Sequence, residues 1–324
     1  MKKTHAHICI LDSFTTDQGV LDWSALQSLG TVDVYERTGP EEVLSRCAGK
    51  TIVITNKVPL DKQTISLLPD CKLICLLSTG TNAVDLEATR QRGIPVCNIP
   101  AYSSDSVAEL VFAFLLHESR RVDVHAHSVR QGEWTGNQDF CYLKTPQKEL
   151  RGKVLGLVGF GDIAQSVCRI AKAFGLRVLA TTPHPEGKPA LGQDFVSRAE
   201  LLAQSDFVSL HCPLTPETNQ LVNEAFLKEM KAGAVLINTG RGGLLDESAV
   251  AQALGSGHVA SAYLDVLSSE PPAADHPLLN VPNVWITPHI AWATDEARSR
   301  LIEILTENVR AWMSGNPQNV VNGL

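Results

Sequence analysis

An α/β protein built on two doubly wound parallel sheets is what this sequence predicts, and three observations carry the prediction. Short apolar strands alternate with helical stretches through the first hundred residues, a glycine-rich turn stands between a strand and a helix at Gly156 to Ala164 (GLVGFGDIA), and one isolated amphipathic helix closes the chain after His289. Alternation of strand and helix calls for a parallel sheet, because parallel neighbours need a crossover long enough to hold a helix. With 324 residues, 44% of them hydrophobic and 19% charged, the chain has material for two cores of ordinary size.

In the first domain the strands are expected at His7 to Leu11, Val32 to Tyr35, Thr51 to Ile54, Leu73 to Leu77 and Pro95 to Asn98. Helices near Trp23 to Leu29, Glu41 to Cys47, Asp61 to Leu67 and Val84 to Arg92 separate them. This pattern is assigned to a flavodoxin-like substrate domain. A long helix is predicted from Ser104 or Asp105 to about Arg130. The segment Gly132 to Leu150 that follows is polar and aromatic in turn, and leaving Trp134, Phe140 and Tyr142 in water is costly, so a second subunit is expected to cover it.

The glycine-rich turn is entered from the apolar strand Lys153 to Val158. Gly159 permits the tight turn, Gly161 lets backbone approach a pyrophosphate, and Ala164 is small enough for close helix packing. The helix it opens repeats Ile163, Val167, Ile170, Ala171 and Phe174 at helical spacing, Gly175 ends it, and a second strand runs from Leu176 to Ala180. This is the start of a Rossmann-type dinucleotide domain. Where an NAD-selective site carries Asp or Glu at the end of the second strand, this chain has Thr181, Thr182, Pro183 and His184. No carboxylate repels a 2′-phosphate there, and His184 or Lys188 could meet one; NAD and NADP both remain open.

The closing helix, with Ala297, Leu301, Ile304, Leu305, Val309 and Trp312 on one face, has no core of its own. It is therefore expected to return to the first domain, making the cofactor domain an insertion. The boundaries are drawn at 1–101 for the substrate domain, 102–288 for the dinucleotide domain and 289–324 for the return, with the site between the two.

Three further apolar runs each end in a group capable of chemistry: Ala234 to Asn238 leads to Arg241, Val259 to Leu267 to Glu270, and Val284 to Thr287 to His289. Ligands of an open parallel sheet bind beyond the carboxyl ends of its strands. Arginine presents a planar fork that suits a carboxylate and an adjacent carbonyl. Histidine can give a proton near neutral pH, and a carboxylate on its far nitrogen fixes its tautomer. Each has a bland alternative: a solvated loop arginine, turn chemistry before Pro271 and Pro272, a histidine satisfying buried backbone. Their recurrence on successive strand ends downstream of the glycine turn favours a site.

A net charge of −7 argues against nucleic acid or an acidic membrane surface as the main partner. The apolar run of MKKTHAHICILD breaks at Asp12, too short for a signal segment or a membrane span, so a cytoplasmic location is expected. The eight cysteines, at 9, 47, 71, 75, 97, 141, 168 and 212, have no metal spacing and read as reduced, mostly buried small hydrophobes. A metal shared by His5 and His7 lacks further ligands, and no metal site is expected.

Several motifs together resemble the D-isomer-specific 2-hydroxyacid dehydrogenases, over most of the chain. They are STGTNAVD (Ser78 to Asp85), NIPAYSSDSVAE (Asn98 to Glu109), the glycine turn, NTGRGGLLDE around Arg241, DVLSSEPP around Glu270 and TPHIAWAT around His289. DFCYL (Asp139 to Leu143) and AWATDEAR (Ala291 to Arg298) are most similar to the glycerate dehydrogenase, or hydroxypyruvate reductase, branch. The resemblance implies that Arg241 holds the substrate carboxylate and keto oxygen, His289 donates the proton and Glu270 is its partner. It implies that backbone amides of Ser78, Thr79 and Gly80 bind the carboxylate, with Thr79 also near the cofactor. The nicotinamide side would be lined by Thr239, Arg241, Asp265, His289 and Ala291. Phosphate and adenosine would meet Gly159, Gly161, Asp162, Ile163, Thr182, His211, Pro213 and Thr218. Trp292 caps a small substrate pocket or packs in the core.

The activity so implied is NAD(P)H-dependent reduction of hydroxypyruvate or glyoxylate to D-glycerate or glycolate, and the reverse, by a homodimer. Other 2-keto acids such as 3-phosphohydroxypyruvate are alternatives, disfavoured because no added regulatory domain and no phosphate clamp is evident. A dinucleotide-sensing binding protein is a further alternative, for which partner-binding tails are lacking.

Overall fold

A computed structural model describes residues 6–19 and 21–324. His5 of the weighed histidine pair lies outside the described residues. The chain divides into two compact units, Met1–Ser103 with Ala293–Leu324, and Ser104–Trp292.

In the first unit, strands β1 (Ala6–Ile10), β2 (Gly30–Val34), β3 (Ile52–Thr55), β4 (Leu73–Leu76) and β5 (Val96–Cys97) form one parallel sheet in the order β2-β1-β3-β4-β5. Ile8, Ile10, Ile52, Ile54, Leu73 and Ile74 are fully buried. Strands covered on both faces have no polar side to show, so they read as continuous apolar runs. The helix Asp295–Met313 belongs to this unit; Thr294 caps it by accepting from the Ala297 amide at 3.2 Å. Its buried residues include Ala297, Leu301, Leu305 and Val309, as the spacing predicts, with Ile302 buried and Ile304 only half-buried. The tail beyond it is tied to β5: Asn322 Oδ1 accepts from Val96 N at 3.1 Å, and Val321 N donates to Val96 O at 2.9 Å.

The second unit holds β6 (Val154–Val158), β7 (Arg177–Thr181), β8 (Asp194–Phe195), β9 (Phe207–Leu210), β10 (Ala234–Asn238), β11 (Val259–Leu264) and β12 (Val284–Ile286). All are parallel, in the order β12-β11-β10-β9-β6-β7-β8. The chain runs from β6 outward to β8, then crosses back to place β9 on the other side, so the sheet has a switch point between β6 and β9. The helix opened by the glycine turn, Asp162–Ala173, buries Ala164, Val167, Cys168 and Ala171.

Two expectations need correction. The long helix predicted to Arg130 is two helices, Ser104–Arg120 and Val122–Arg130, because Arg121 takes a left-handed φ of 42°. Tertiary contact accounts for a break that no glycine or proline marks: the Arg121 guanidinium lies 4.9 Å from the Trp285 ring centre. The strand drawn from Val259 to Leu267 ends at Leu264. Beyond it Leu267 N turns to donate to Glu270 Oε1 at 3.0 Å, which no run of apolar letters reveals. Among the described residues, no helix is long and apolar enough to cross a membrane, and no cluster of His, Cys, Asp or Glu could hold a metal. All eight cysteines are unbridged; Cys141 is exposed, Cys212 half-buried and the rest buried.

Candidate active site

At the switch point of the seven-stranded sheet lies a cavity of about 890 Å³, lined by the ends of β6, β7 and β9. Gly159, at the end of β6, has φ +96°, and a Cβ there would lie 2.6 Å from the backbone carbonyl of His211. Only glycine fits, since both the dihedral and the close approach exclude a side chain. Gly161 differs: a Cβ would meet nothing within 4 Å. The open space in front of it, at the mouth of a twelve-residue helix whose N-cap carries no side chain, suits the pyrophosphate of a dinucleotide.

Of the residues expected on the phosphate and adenosine side, Gly159, Gly161, Thr182, His211, Pro213 and Thr218 line this one cavity. Asp162 and Ile163 form the first turn of the helix beside it. His211 is half-buried, with Nε2 2.9 Å from Ser209 Oγ, and burial pushes its imidazole down to about 4. His184 does not line the cavity; Lys188 does, and so does Arg198, which sequence reasoning missed. Arg198 follows β8, and β8 is paired with β7 so that Ala180 faces Phe195. Continuing that register brings Arg198 to the level of Thr182 and Pro183, a relation that the twelve residues between β7 and β8 conceal in the sequence.

The second cluster of the same unit is built on β10, β11 and β12. Asn238, fully buried, closes the turn after β10: Gly240 N donates to its Oδ1 at 3.0 Å, and its Nδ2 donates to Arg241 O at 2.9 Å. Arg241 is half-buried; Nη1 donates to Gly240 O at 2.8 Å, and its other donors make no bond among the described residues. A Cβ on Gly242 would lie 1.9 Å from Leu267 C, so the backbone after Arg241 rests directly on the segment leading to Glu270. Glu270 Oε2 lies 2.6 Å from His289 Nδ1. His289 Nε2 makes no hydrogen bond among the described residues, and the side chain is 28% exposed. Arg241, Glu270 and His289 are thus linked through successive contacts.

Asp265 holds this arrangement in shape. It is 1% exposed, and its carboxylate accepts from Thr287 Oγ1 at 2.6 Å, Ile290 N at 2.9 Å and Ala291 N at 2.8 Å. Burial raises its pKa, and those donors oppose the rise. His289 N donates to Asp265 O at 2.9 Å, and the residue sits at φ 56°. A left-handed histidine is strained, and the strain persists because the surrounding bonds fix the turn. Glu247 gives similar support to the other loop, accepting from Ser268 N at 2.8 Å and Ser268 Oγ at 2.5 Å and lying 3.0 Å from His276 Nε2. It was missed because a carboxylate at the start of a helix reads as an ordinary first-turn acid. The Thr239 hydroxyl, just after β10, is buried with no hydrogen-bond partner among the described residues. Trp292 is half-buried.

Ser78, Thr79 and Gly80 stand in the first unit, directly after β4. Thr79 Oγ1 donates to Ile99 O at 2.7 Å and Ser78 Oγ to Gly80 O at 2.7 Å, which leaves the turn's shape set by side chains.

Comparison with known proteins identifies the family. The family described as D-isomer specific 2-hydroxyacid dehydrogenase, NAD binding domain, matches residues 112–291. A hydroxypyruvate reductase of Blautia hydrogenotrophica is 42% identical over 321 residues, covering 97% of this chain and 99% of that protein. A glycerate dehydrogenase of Methylorubrum extorquens is 41% identical over 290 residues, covering 89% and 90%. Among solved structures, a glyoxylate reductase from Paecilomyes thermophila matches with a TM-score of 0.84 at 31% identity, over 98% of each chain. The chain belongs to the D-isomer-specific 2-hydroxyacid dehydrogenases and is an NAD(P)-dependent 2-keto acid reductase of that family.

Proposed function

We propose that the chain reduces hydroxypyruvate or glyoxylate to D-glycerate or glycolate and catalyses the reverse reaction, with His289 as the acid and base. The observation that carries the assignment of His289 is its 2.6 Å contact with Glu270 through Nδ1, with Nε2 left unengaged. A carboxylate on Nδ1 keeps the proton to be delivered on Nε2, where it can reach the oxygen at C2 of the substrate. The reduced nicotinamide supplies the hydride. Arg241, with donors to spare, holds the substrate carboxylate and the oxygen on which charge develops. The amides of Ser78, Thr79 and Gly80 assist with the carboxylate, Thr79 also facing the cofactor, and Trp292 closes the small pocket.

Thr239, Asp265 and Ala291 form the nicotinamide side, while Gly161, Asp162 and Ile163 offer backbone N–H groups to the phosphates. Similarity to a hydroxypyruvate reductase and a glycerate dehydrogenase over about nine-tenths or more of the chain supports a small, unphosphorylated substrate. Steady-state rates with hydroxypyruvate, glyoxylate, pyruvate and 3-phosphohydroxypyruvate test this directly. The first two should show the highest kcat/KM; a clear preference for the phosphorylated acid would replace the substrate assignment.

The working form is a homodimer acting in the cytoplasm, where unbridged cysteines are at home. Phe140 is 89% exposed, and Leu143 and Trp134, within six residues of it, are exposed as well, apolar side chains that a second subunit would cover. Sedimentation at micromolar concentration should give twice the chain mass; a monomer would remove the dimer from the proposal.

A further inference from the structure

Between β11 and the short turn Pro277–Asn280 the chain runs through residues 265–276 without helix or strand, and this stretch carries Glu270. An irregular connection of that length has to be fixed from outside if it is to hold a side chain within about 0.5 Å. Glu247 does so, and it stands on the segment that follows Arg241. That segment is bonded along its length: Leu245 N donates to Gly242 O at 2.9 Å, Asp246 N to Val222 O at 3.0 Å, and Ala249 N to Asp246 Oδ1 at 3.0 Å where the helix Glu247–Gly255 begins. The Glu247 side chain is 12% exposed. Its Oε1 accepts from Ser268 N at 2.8 Å; its Oε2 accepts from Ser268 Oγ at 2.5 Å and lies 3.0 Å from His276 Nε2. His276 Nδ1 accepts from Leu278 N at 3.3 Å, so the ring hydrogen stands on Nε2 and is donated to Glu247. One carboxylate therefore grips the stretch on both sides of Glu270. Ser268 is exposed, and water could serve its amide and hydroxyl, yet both are spent on Glu247. Next to it, Leu267 N holds Glu270 Oε1 at 3.0 Å, which leaves Oε2 to meet His289 at 2.6 Å.

We infer that Glu247 is a positioning residue for the reductase: by holding Ser268 and His276 it fixes Glu270 against His289, and turnover depends on it through Glu270. The inference rests on the reading of His289 and Glu270 as the acid and its partner, and deepens it. An ionised carboxylate that collects an amide, a hydroxyl and an imidazole N–H makes charge-assisted bonds, stronger than those of a neutral acceptor in the same place. A glutamine at 247 keeps the volume but offers one oxygen where the carboxylate offers two. In either orientation of its amide an N–H is left facing another N–H, from Ser268 or from His276, and the grip on one side of Glu270 opens.

Steady-state kinetics on a double-mutant cycle reads this, with the intact protein and the keto acid of highest kcat/KM. Glu247→Gln should lower kcat about tenfold while KM for the keto acid stays within about twofold, because the loss falls on the acid and not on substrate binding. In a Glu270→Ala background the same change should cost less than about twofold more, since the group that Glu247 positions is gone. A purely structural role would lower turnover equally in both backgrounds. Ser268→Ala changes an exposed residue, keeps Glu247 paired with His276 and removes only the hydroxyl, so it serves where Glu247→Gln folds poorly; a loss of about threefold is expected, again absent without Glu270. Wild-type kcat in both variants, or equal losses with and without Glu270, overturns the inference and leaves the pairing of His289 with Glu270 standing. Wild-type turnover in Glu270→Ala itself overturns that pairing as the source of the acid, and the inference falls with it.

Discussion

The turn after β6 and the turn after β12 belong to the same sheet, yet they are held by opposite means. At Val158 to Gly161 the backbone is shaped by missing side chains: Gly159 nests against His211, and Gly161 faces open space. At Thr287 to Ala291 it is shaped by a buried carboxylate, with three donors converging on Asp265 and a left-handed histidine at the centre. A turn that must admit a large anion gains from bare amides. A turn that must aim one proton donor needs fixed side-chain geometry, because small misplacement of a catalytic group is costly in rate.

The largest effect expected is on His289 itself. His289→Ala should lower turnover by about 100- to 10,000-fold, the range for loss of a general acid, while nucleotide affinity stays within about twofold. Steady-state kinetics alongside calorimetry separates the two, and unchanged turnover would take the proton from this residue. Removing the scaffold instead of the donor should look different. Asp265→Ala leaves Thr287 Oγ1, Ile290 N and Ala291 N without their acceptor, at a cost of about 3 kcal/mol or more in unfolding free energy, and turnover falls with it. Gly159→Ala should destabilise by a similar amount, through backbone overlap and an unfavourable φ. Denaturant melts showing wild-type stability for both variants would mean that the two turns are not rigid in the way described.

Between the two glycines of the first turn lies a sharper distinction. Gly161→Ala meets no atom within 4 Å and should cost no more than about 1 kcal/mol, the difference between Gly and Ala as an N-cap, yet its methyl enters the space assigned to the pyrophosphate. A tenfold or greater loss of ADP-ribose affinity is expected, roughly 1.4 kcal/mol. Should affinity survive, the phosphates do not pass in front of this residue.

The same contrast explains what could be read in advance. Turn glycines and buried strands announce themselves, because a missing side chain and an apolar run are both properties of adjacent letters; β10 was legible to the residue as Ala234–Asn238. The histidine proposed as the acid, its carboxylate and Arg241 could be picked out in the sequence as candidate chemistry at strand ends. Their supports could not: Asp265 is named only through the resemblance, as a cofactor-side residue, and Glu247 not at all, because both act on partners more than twenty residues away and nothing local distinguishes them from other acids. Arg198 was hidden for the same reason, since only the pairing of β7 with β8 brings it level with Thr182. The strand β9 stayed unmarked as well, being four fully buried residues, too short for a period to show.

The smallest effect ties the first turn to solution conditions. His211 is the residue against which Gly159 packs, and burial holds its imidazole at about 4, below the ordinary 6.5. Well above pH 6.5 the ring is neutral whether the chain is folded or not, so it contributes no pH dependence there. As pH falls below 6.5 the unfolded chain takes up a proton that the folded chain refuses until about 4, and stability is lost across that window. From pH 7 to pH 6 the loss attributable to this one ring is about 0.7 kcal/mol, from the proton-linkage relation. His211→Asn, which keeps a polar group near Ser209 but cannot titrate, should unfold with a correspondingly flatter dependence on pH while wild type declines. Parallel curves for the two proteins would show that the ring takes up its proton as readily in the folded chain as in the unfolded one, and the depressed imidazole would have to be given up.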